Sequence, residues 1–589
     1  MLHPNGVDAT TGEHLLPPLV EQDVADAFGS APLDHASMAA LTAHHRRTTE
    51  DHLAPKHGVD GSDLSLAGWG VIASEHADPA VLDALRPLLE HRREQAASAR
   101  EHRFRELTGA DGYRQDETKQ EFQTRFGAGP GPVDPDVLPY HLLIVGGPDE
   151  VPFSFQYQLD VQHSVGRVSF ATTSEYAVYA RNVVAADRAA GRDRHDGPVD
   201  VCLFAPRHDD DAATGLSEQH LARPLAHALD EEAQLFRVSR LLGGDATKVG
   251  LVSALSGTRA PGLLFTASHG LGFPSGHPLQ TETQGALVCQ EWDGPGHGPL
   301  AAGEWFGATD VRALDADLTG MVAVVFACFG AGTPRENDFG RAQFSVGPLA
   351  PAPFVAALPG ALLGREGGAL AVVGHVDRAW AYSFMWPGVG AQTEVFHSTL
   401  RALASGELLG TALEFMGDRH AEVATELAQT IELRDLGKRI DPATLAALWT
   451  AYSDTRNYVV LGDPAVRIRQ QSHTPPVTRP TVDIAASAIC PQPRPPFAKE
   501  TVEVATYVTH DPAAVHVDPA TGCITGARLA LYSMVHTNGE AQHVVTTPLP
   551  GATADDDEAT ALADLHTRLL DVSLTAQRAS TAGGGDPDD

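Results

Sequence analysis

GLLFTASHG (262–270) and MVAVVFACFG (321–330) are short apolar runs that each end in a reactive side chain, His269 and Cys328, with glycine close behind. Further runs of the same kind are YHLLIVGG (140–147), VDVCLFAP (199–206) and GALAVVGHV (368–376). Between them lie amphipathic stretches such as LARPLAHALDEEAQLFRVSRLL (221–242) and PFVAALPGALLGRE (353–366). Wholly apolar strands separated by helices predict a mainly parallel sheet covered on both faces, an α/β fold. Open parallel sheets bind ligands outside the carboxyl ends of their strands, so His269 and Cys328 are expected to face one crevice.

That pair suits nucleophilic catalysis. A thiol is only slightly ionised at neutral pH, and an adjacent imidazole both raises its thiolate content and returns a proton to a leaving amine. The backbone N–H groups of Gly270 and Cys328 are candidate oxyanion donors, because glycine lets a substrate carbonyl approach the main chain. AlaCysPheGlyAlaGlyThrPro (327–334) is also expected to open a loop or helix whose free N–H groups favour the thiolate.

The rest of the 589-residue chain sets limits on function. Its length calls for two to four folded units. Residues 1–135 read as a helical N-terminal region, clearest in VLDALRPLLEHRREQAASAREHRFRELTG (81–109), and 136–470 as the α/β unit. A Pro-rich linker is expected at 471–500, a small α+β segment at 501–578 and a disordered tail at 579–589. The opening MLHPNGVDATTGEHLLPP lacks the basic and apolar parts of a secretory signal, and no apolar run is long enough to span a bilayer, so a soluble, cytoplasmic protein is expected. Five scattered cysteines without CxxC spacing argue against a disulfide framework and a structural zinc site. A net charge of -34 disfavours nucleic acid and anionic membranes as partners and would draw in a basic peptide. No nucleotide cofactor is implied, since neither GGPDE (146–150) nor LGDP (461–464) ends as a P-loop does. The acidic runs His208 to Asp211 and Asp555 to Glu558 are candidate Ca²⁺ sites, or else solvated loops.

With these motifs in hand, the stretch 140–470 resembles the caspase-like cysteine peptidases of clan CD, in their gingipain-type and CHAT-type branches. The resemblance rests on SerHisGly at 268–270, AlaCysPheGly at 327–330, LLIVGGPDEVPF (142–153), the Asp160…Gly166-Arg167 segment and LeuGlyAspPro at 461–464. It implies a three-layer sandwich and an endopeptidase working through a Cys328–His269 dyad and an acyl-enzyme thioester. It also implies a protein or peptide substrate, a protein partner that activates or inhibits, and, for bacterial relatives, a place in defence or cell death. By the same resemblance Asp160 is the pocket acid selecting Arg or Lys; otherwise it pairs with Arg167 or caps a turn. GlyHisValAspArgAlaTrp (374–380) ends another core strand, so His375, Asp377 and Trp380 are candidates to bind substrate in the same crevice, the other readings being a structural His-Asp-Arg group and His375 as an alternative base. Glu291, Trp292 and Asp293 fall in a long Gly/Pro-rich segment with the character of a lid. The competing readings are a catalytically silent scaffold that binds partners, and an acyltransferase using the same Cys/His pair.

Overall fold

The computed structural model describes residues 6–8, 10–12, 55–56, 58–190, 198–256, 260–338 and 347–468, and the backbone of three strands beyond residue 501. It divides into two compact units, 1–478 and 479–589. The linker and tail expected at 471–500 and 579–589, and the acidic run Asp555 to Glu558, lie outside the described residues.

Ten strands of the first unit form one sheet. In chain order they are β1 (Trp69–Ala73), β2 (Phe104–Leu107), β3 (His141–Val145), β4 (Ser164–Val168), β5 (Val199–Ala205), β6 (Phe236–Leu242), β7 (Leu263–Ala267), β8 (Val322–Phe326), β9 (Ala371–His375) and β10 (Tyr458–Gly462). Their spatial order is β2-β1-β3-β4-β10-β9-β8-β7-β5-β6. Every neighbouring pair is parallel except β9 with β10. The sheet therefore consists of two parallel halves of opposite direction, joined at that one seam. Helices such as Arg86–Ala96, Thr173–Ala190, Glu394–Ala404 and Glu414–Asp435 complete the mixed α/β architecture. The strands β1, β3, β7, β8 and β9 are buried along their whole length, which explains why they read as unbroken apolar runs.

The N-terminal expectation needs correction. Residues 69–73 and 104–107 are strands of this sheet, and Trp69 to Ala73 stand opposite His141 to Val145. Residues 135 and 136 do not separate two folded units. WGVIA (69–73) is short, and only its non-local partner makes it a strand; the helical pattern at 81–109 is real over Pro79–Ala84 and Arg86–Ala96 and then gives way to β2.

Two recurrent motifs have structural duties here. Asp463 of LeuGlyAspPro accepts from Trp69 Nε1 at 2.9 Å and Arg92 Nε at 2.7 Å, tying the last strand to the first half of the sheet. Buried Arg167 donates to Gln156 Oε1 and to the carbonyls of Gly146 and Val151 at 2.7–2.9 Å, closing the β3–β4 connection. Removing either would leave buried polar groups unmet.

Two buried histidines make the fold acid-sensitive. His141 gives Nε2–H to Gly61 O at 2.7 Å, and His163 gives Nδ1–H to Pro139 O at 2.9 Å. Burial lowers them to about 4 and about 3 respectively, the Lys119 charge adding to the effect at His163. Both stay neutral in the fold but titrate near 6.5 once unfolded. Their contribution is thus complete above pH 6.5 and is lost as pH falls toward 4, by about 1.4 kcal/mol per pH unit for each. Asp160 and Asp377, whose carboxyls burial raises, act with the opposite sign over this range, so the test is a comparison: between pH 7 and pH 4.5 the urea midpoint should fall less in His163→Gln than in wild type, and an equal fall would remove His163 as a cause.

The second unit, taken by itself, is an antiparallel meander of strands Val502–Val517, Ile524–Thr537 and Glu540–Thr553.

Candidate active site

β7 and β8 run side by side, with Ala267 opposite Phe326 and Ser268 N–H bonded to Phe326 O at 3.1 Å. Continuing that register sets the backbone of His269 beside that of Cys328 where the two strands leave the sheet. A Cβ on Gly270 would lie 1.8 Å from the Cys328 carbonyl oxygen. Only glycine fits between the two strand exits.

His269 is held by a residue that the sequence reading placed only in an acidic run. Its Nε2 meets Asp211 Oδ2 at 2.6 Å, and both side chains are fully buried. Asp211 caps the helix Ala212–Ser217, accepting from Ala213 N–H at 3.0 Å and from the Thr214 hydroxyl at 2.7 Å. Its carboxylate is therefore fixed before the imidazole is considered. With Nε2–H on Asp211, the basic lone pair of the imidazole sits on Nδ1. In the acidic run His208 to Asp211, Asp211 is bonded to His269, and no group of three His, Cys, Asp or Glu that could hold a metal ion occurs among the described residues. The one available signal was the N-cap position of Asp211 ahead of AATGLS. Trp292 stands edge-on to His269, with ring centroids 5.6 Å apart, and to His208 at 4.8 Å. Glu291 instead caps the helix Lys248–Leu255, accepting from Lys248 N–H at 2.9 Å.

Cys328 is fully buried, and burial pushes its thiol up to about 12. Its Sγ accepts from the Ala379 N–H at 3.3 Å. No helix follows the cysteine. The chain passes through Phe329, at φ 58°, into a two-residue strand, Gly332–Thr333. Phe329 N–H is bonded to Asp377 O at 2.6 Å, and Asp377 itself has φ 75°. Two non-glycine residues in the left-handed region, hydrogen-bonded to each other beside the thiol, concentrate backbone strain at this point.

The residues expected to bind substrate divide among several surroundings. His375 is buried in a pair with Asp454 (3.0 Å) and covered by Tyr458 and Phe326. Trp380 packs with Tyr382, Val423 and Ala446. These two belong to the packed interior, because β9 and the segment after it are covered by the helix Pro442–Arg456. Asp377 is buried next to Arg378, whose Nη1 lies 3.1 Å from its Oδ1, and burial pushes its carboxyl up to about 6.

Asp160 ends the helix Phe153–Asp160 and caps the following turn, its Oδ1 accepting from Val165 N–H at 3.1 Å. It does not pair with Arg167 in these contacts. The start of β4 lies beside the start of β10, which faces the end of β9, so Asp160 is on the same edge of the sheet as the strand ends carrying His269 and Cys328. It opens to water through a cavity of about 270 Å³ whose walls include Tyr140, Tyr157, Glu414, Asp418 and Tyr458. The surrounding protein nonetheless pushes its carboxyl up to about 7. Cys328 and His269 do not line this cavity.

Among the described residues, Cys202, Cys289 and Cys328 are all free thiols, and no helix is long and apolar enough to cross a membrane.

No family model matches this chain, and no curated protein does. Among solved structures, it is similar to the Arg-specific cysteine proteinase gingipain R, at 13% identity and a TM-score of 0.37 over 84% of this chain and 93% of that one. A structure described as a protease matches at 12% identity and 0.39, over 82% of this chain and 97% of that one. The complex of Porphyromonas gingivalis RgpB pro- and mature domains matches at 12% and 0.36, over 83% and 95%. Likeness of this size leaves the reading of the site to its own geometry.

Proposed function

We propose that the chain is a cysteine endopeptidase. One observation carries the reading: Cys328 and His269 leave neighbouring parallel strands in register, and His269 is held by the buried carboxylate of Asp211. His269 takes the thiol proton as sulfur attacks the peptide carbonyl. The C–N bond then breaks, with that proton going to the amine, and water hydrolyses the thioester. Gly270 and Cys328 N–H groups are the proposed oxyanion donors, and Asp160, in its cavity on the same edge, the acid that receives an Arg or Lys side chain.

Full burial of both catalytic side chains favours a second reading, the silent scaffold, because an enclosed thiol at about 12 is almost wholly protonated. Under the first reading the same burial describes a closed state that a partner or substrate must open.

Cleavage of a positional peptide library by the full chain, with Cys328→Ala as the blank, tests both. Cleavage after Arg or Lys is expected, and Asp160→Asn should lower that basic preference on the order of 10–100-fold. Cleavage indifferent to Asp160→Asn would retire the pocket but keep the dyad. No cleavage, together with no labelling of Cys328 by a peptidyl acyloxymethyl ketone either before or after limited proteolysis of the chain, would favour the scaffold, whereas labelling that appears on proteolysis would favour the closed peptidase.

A further inference from the structure

Asp454, near the end of the helix Pro442–Arg456, is fully buried and accepts three hydrogen bonds from one short stretch of chain. The donors are His375 Nε2 at 3.0 Å, Trp380 N–H at 2.9 Å and the Ser383 hydroxyl at 2.9 Å. Between the first two anchors, residues 375–379 are joined to the segment after the nucleophile. Ala331 N–H bonds to His375 O at 2.8 Å, Phe329 N–H to Asp377 O at 2.6 Å, and Asp377 N–H to Gly332 O at 3.2 Å. Ala379 N–H, one residue before Trp380, points at Cys328 Sγ. The Asp377 backbone adopts a conformation that an L-residue seldom holds unaided, so the stretch needs anchoring at both ends.

We infer that Asp454 is a positioning residue for the nucleophile, clamping His375 and Trp380 so that the Ala379 N–H meets the Cys328 sulfur. This rests on the reading of Cys328 as the nucleophile. Charge and position make opposite predictions. The charged groups acting on Cys328 are Arg378, Asp377 and Asp454, and His269 stands on the adjacent strand exit. By charge alone, losing the Asp454 carboxylate eases ionisation of the thiol. By position, losing it frees Ala379 and removes a donor to the thiolate, making ionisation harder.

The measurement is the rate of Cys328 alkylation by iodoacetamide between pH 7 and pH 10, read by mass on the Cys328 peptide of the full chain. Asp454→Ala should be about tenfold slower at pH 8, its profile displaced to higher pH. Asp454→Asn carries the same loss of charge but keeps an acceptor, and should recover part of the rate. An Asp454→Ala rate at or above wild type, or one matched by Asp454→Asn, overturns the proposal. Should Asp454→Ala fail to fold, Ser383→Ala removes a single anchor and should be about threefold slower; an unchanged rate there overturns it equally. Because alkylation needs no peptide cleavage, its outcome decides the positioning role separately from the cleavage assay that decides the peptidase reading.

Discussion

Asp211→Asn is expected to lower kcat/KM on the order of 10³–10⁴-fold while leaving the fold nearly as stable as before. Asp211 accepts the Nε2–H of His269 at 2.6 Å, which leaves Nδ1 free of its proton and able to act as a base. An asparagine amide in that place would donate to Nε2 and push the proton to Nδ1, the wrong tautomer. Asparagine still caps the helix Ala212–Ser217, so little stability should be lost. Steady-state kinetics beside a thermal melt separate the two effects. Activity within tenfold of wild type at an unchanged melting temperature would mean that Asp211 is only a helix cap.

Gly270→Ala should act through packing. A methyl group 1.8 Å from the Cys328 carbonyl oxygen has nowhere to go, because the obstacle is backbone on a fully buried strand exit. The strands must part there, costing on the order of 3 kcal/mol and separating the thiol from the imidazole. Both cleavage and the melting temperature should drop sharply. Gly303→Ala, where an added methyl meets nothing within 4 Å, is the matched control and should behave as wild type. If Gly270→Ala melts and cleaves like that control, the close approach of the two strand exits is wrong.

The parts of this molecule legible in the sequence are those in which local pattern and chemistry coincide. β7 and β8 are unbroken apolar runs, and each runs out into a reactive residue, so the α/β fold and the exit of His269 and Cys328 from neighbouring strands follow from reading along the chain. Asp211 and Asp454 escape that reading because neither has a distinctive neighbour in sequence. Asp211 lies in an acidic run and Asp454 in the helix sequence PATLAALWTAYSDTR. Their roles arise from contacts 58 and 71 to 79 residues away along the chain. β1 and β2 are missed for a related reason, as a five-residue strand beside two helices is specified by the partner it pairs with. His375 and Trp380 show the opposite failure, a strand end that looks like a site but is roofed by a helix.

The seam between the two halves of the sheet also has a consequence for biosynthesis. β10 is the last strand of the unit to leave the ribosome, yet it lies in the middle of the sheet, between β4 and β9. Until Tyr458–Gly462 emerges, the strands Ser164–Val168 and Ala371–His375 each lack the neighbour that covers one of their edges, and Asp454 has only just been added. A translation product that stops short of β10 lacks the strand that joins the half of the sheet next to Asp160 to the half that carries His269 and Cys328. Completion of the polypeptide is thus the condition for the two halves to share one sheet.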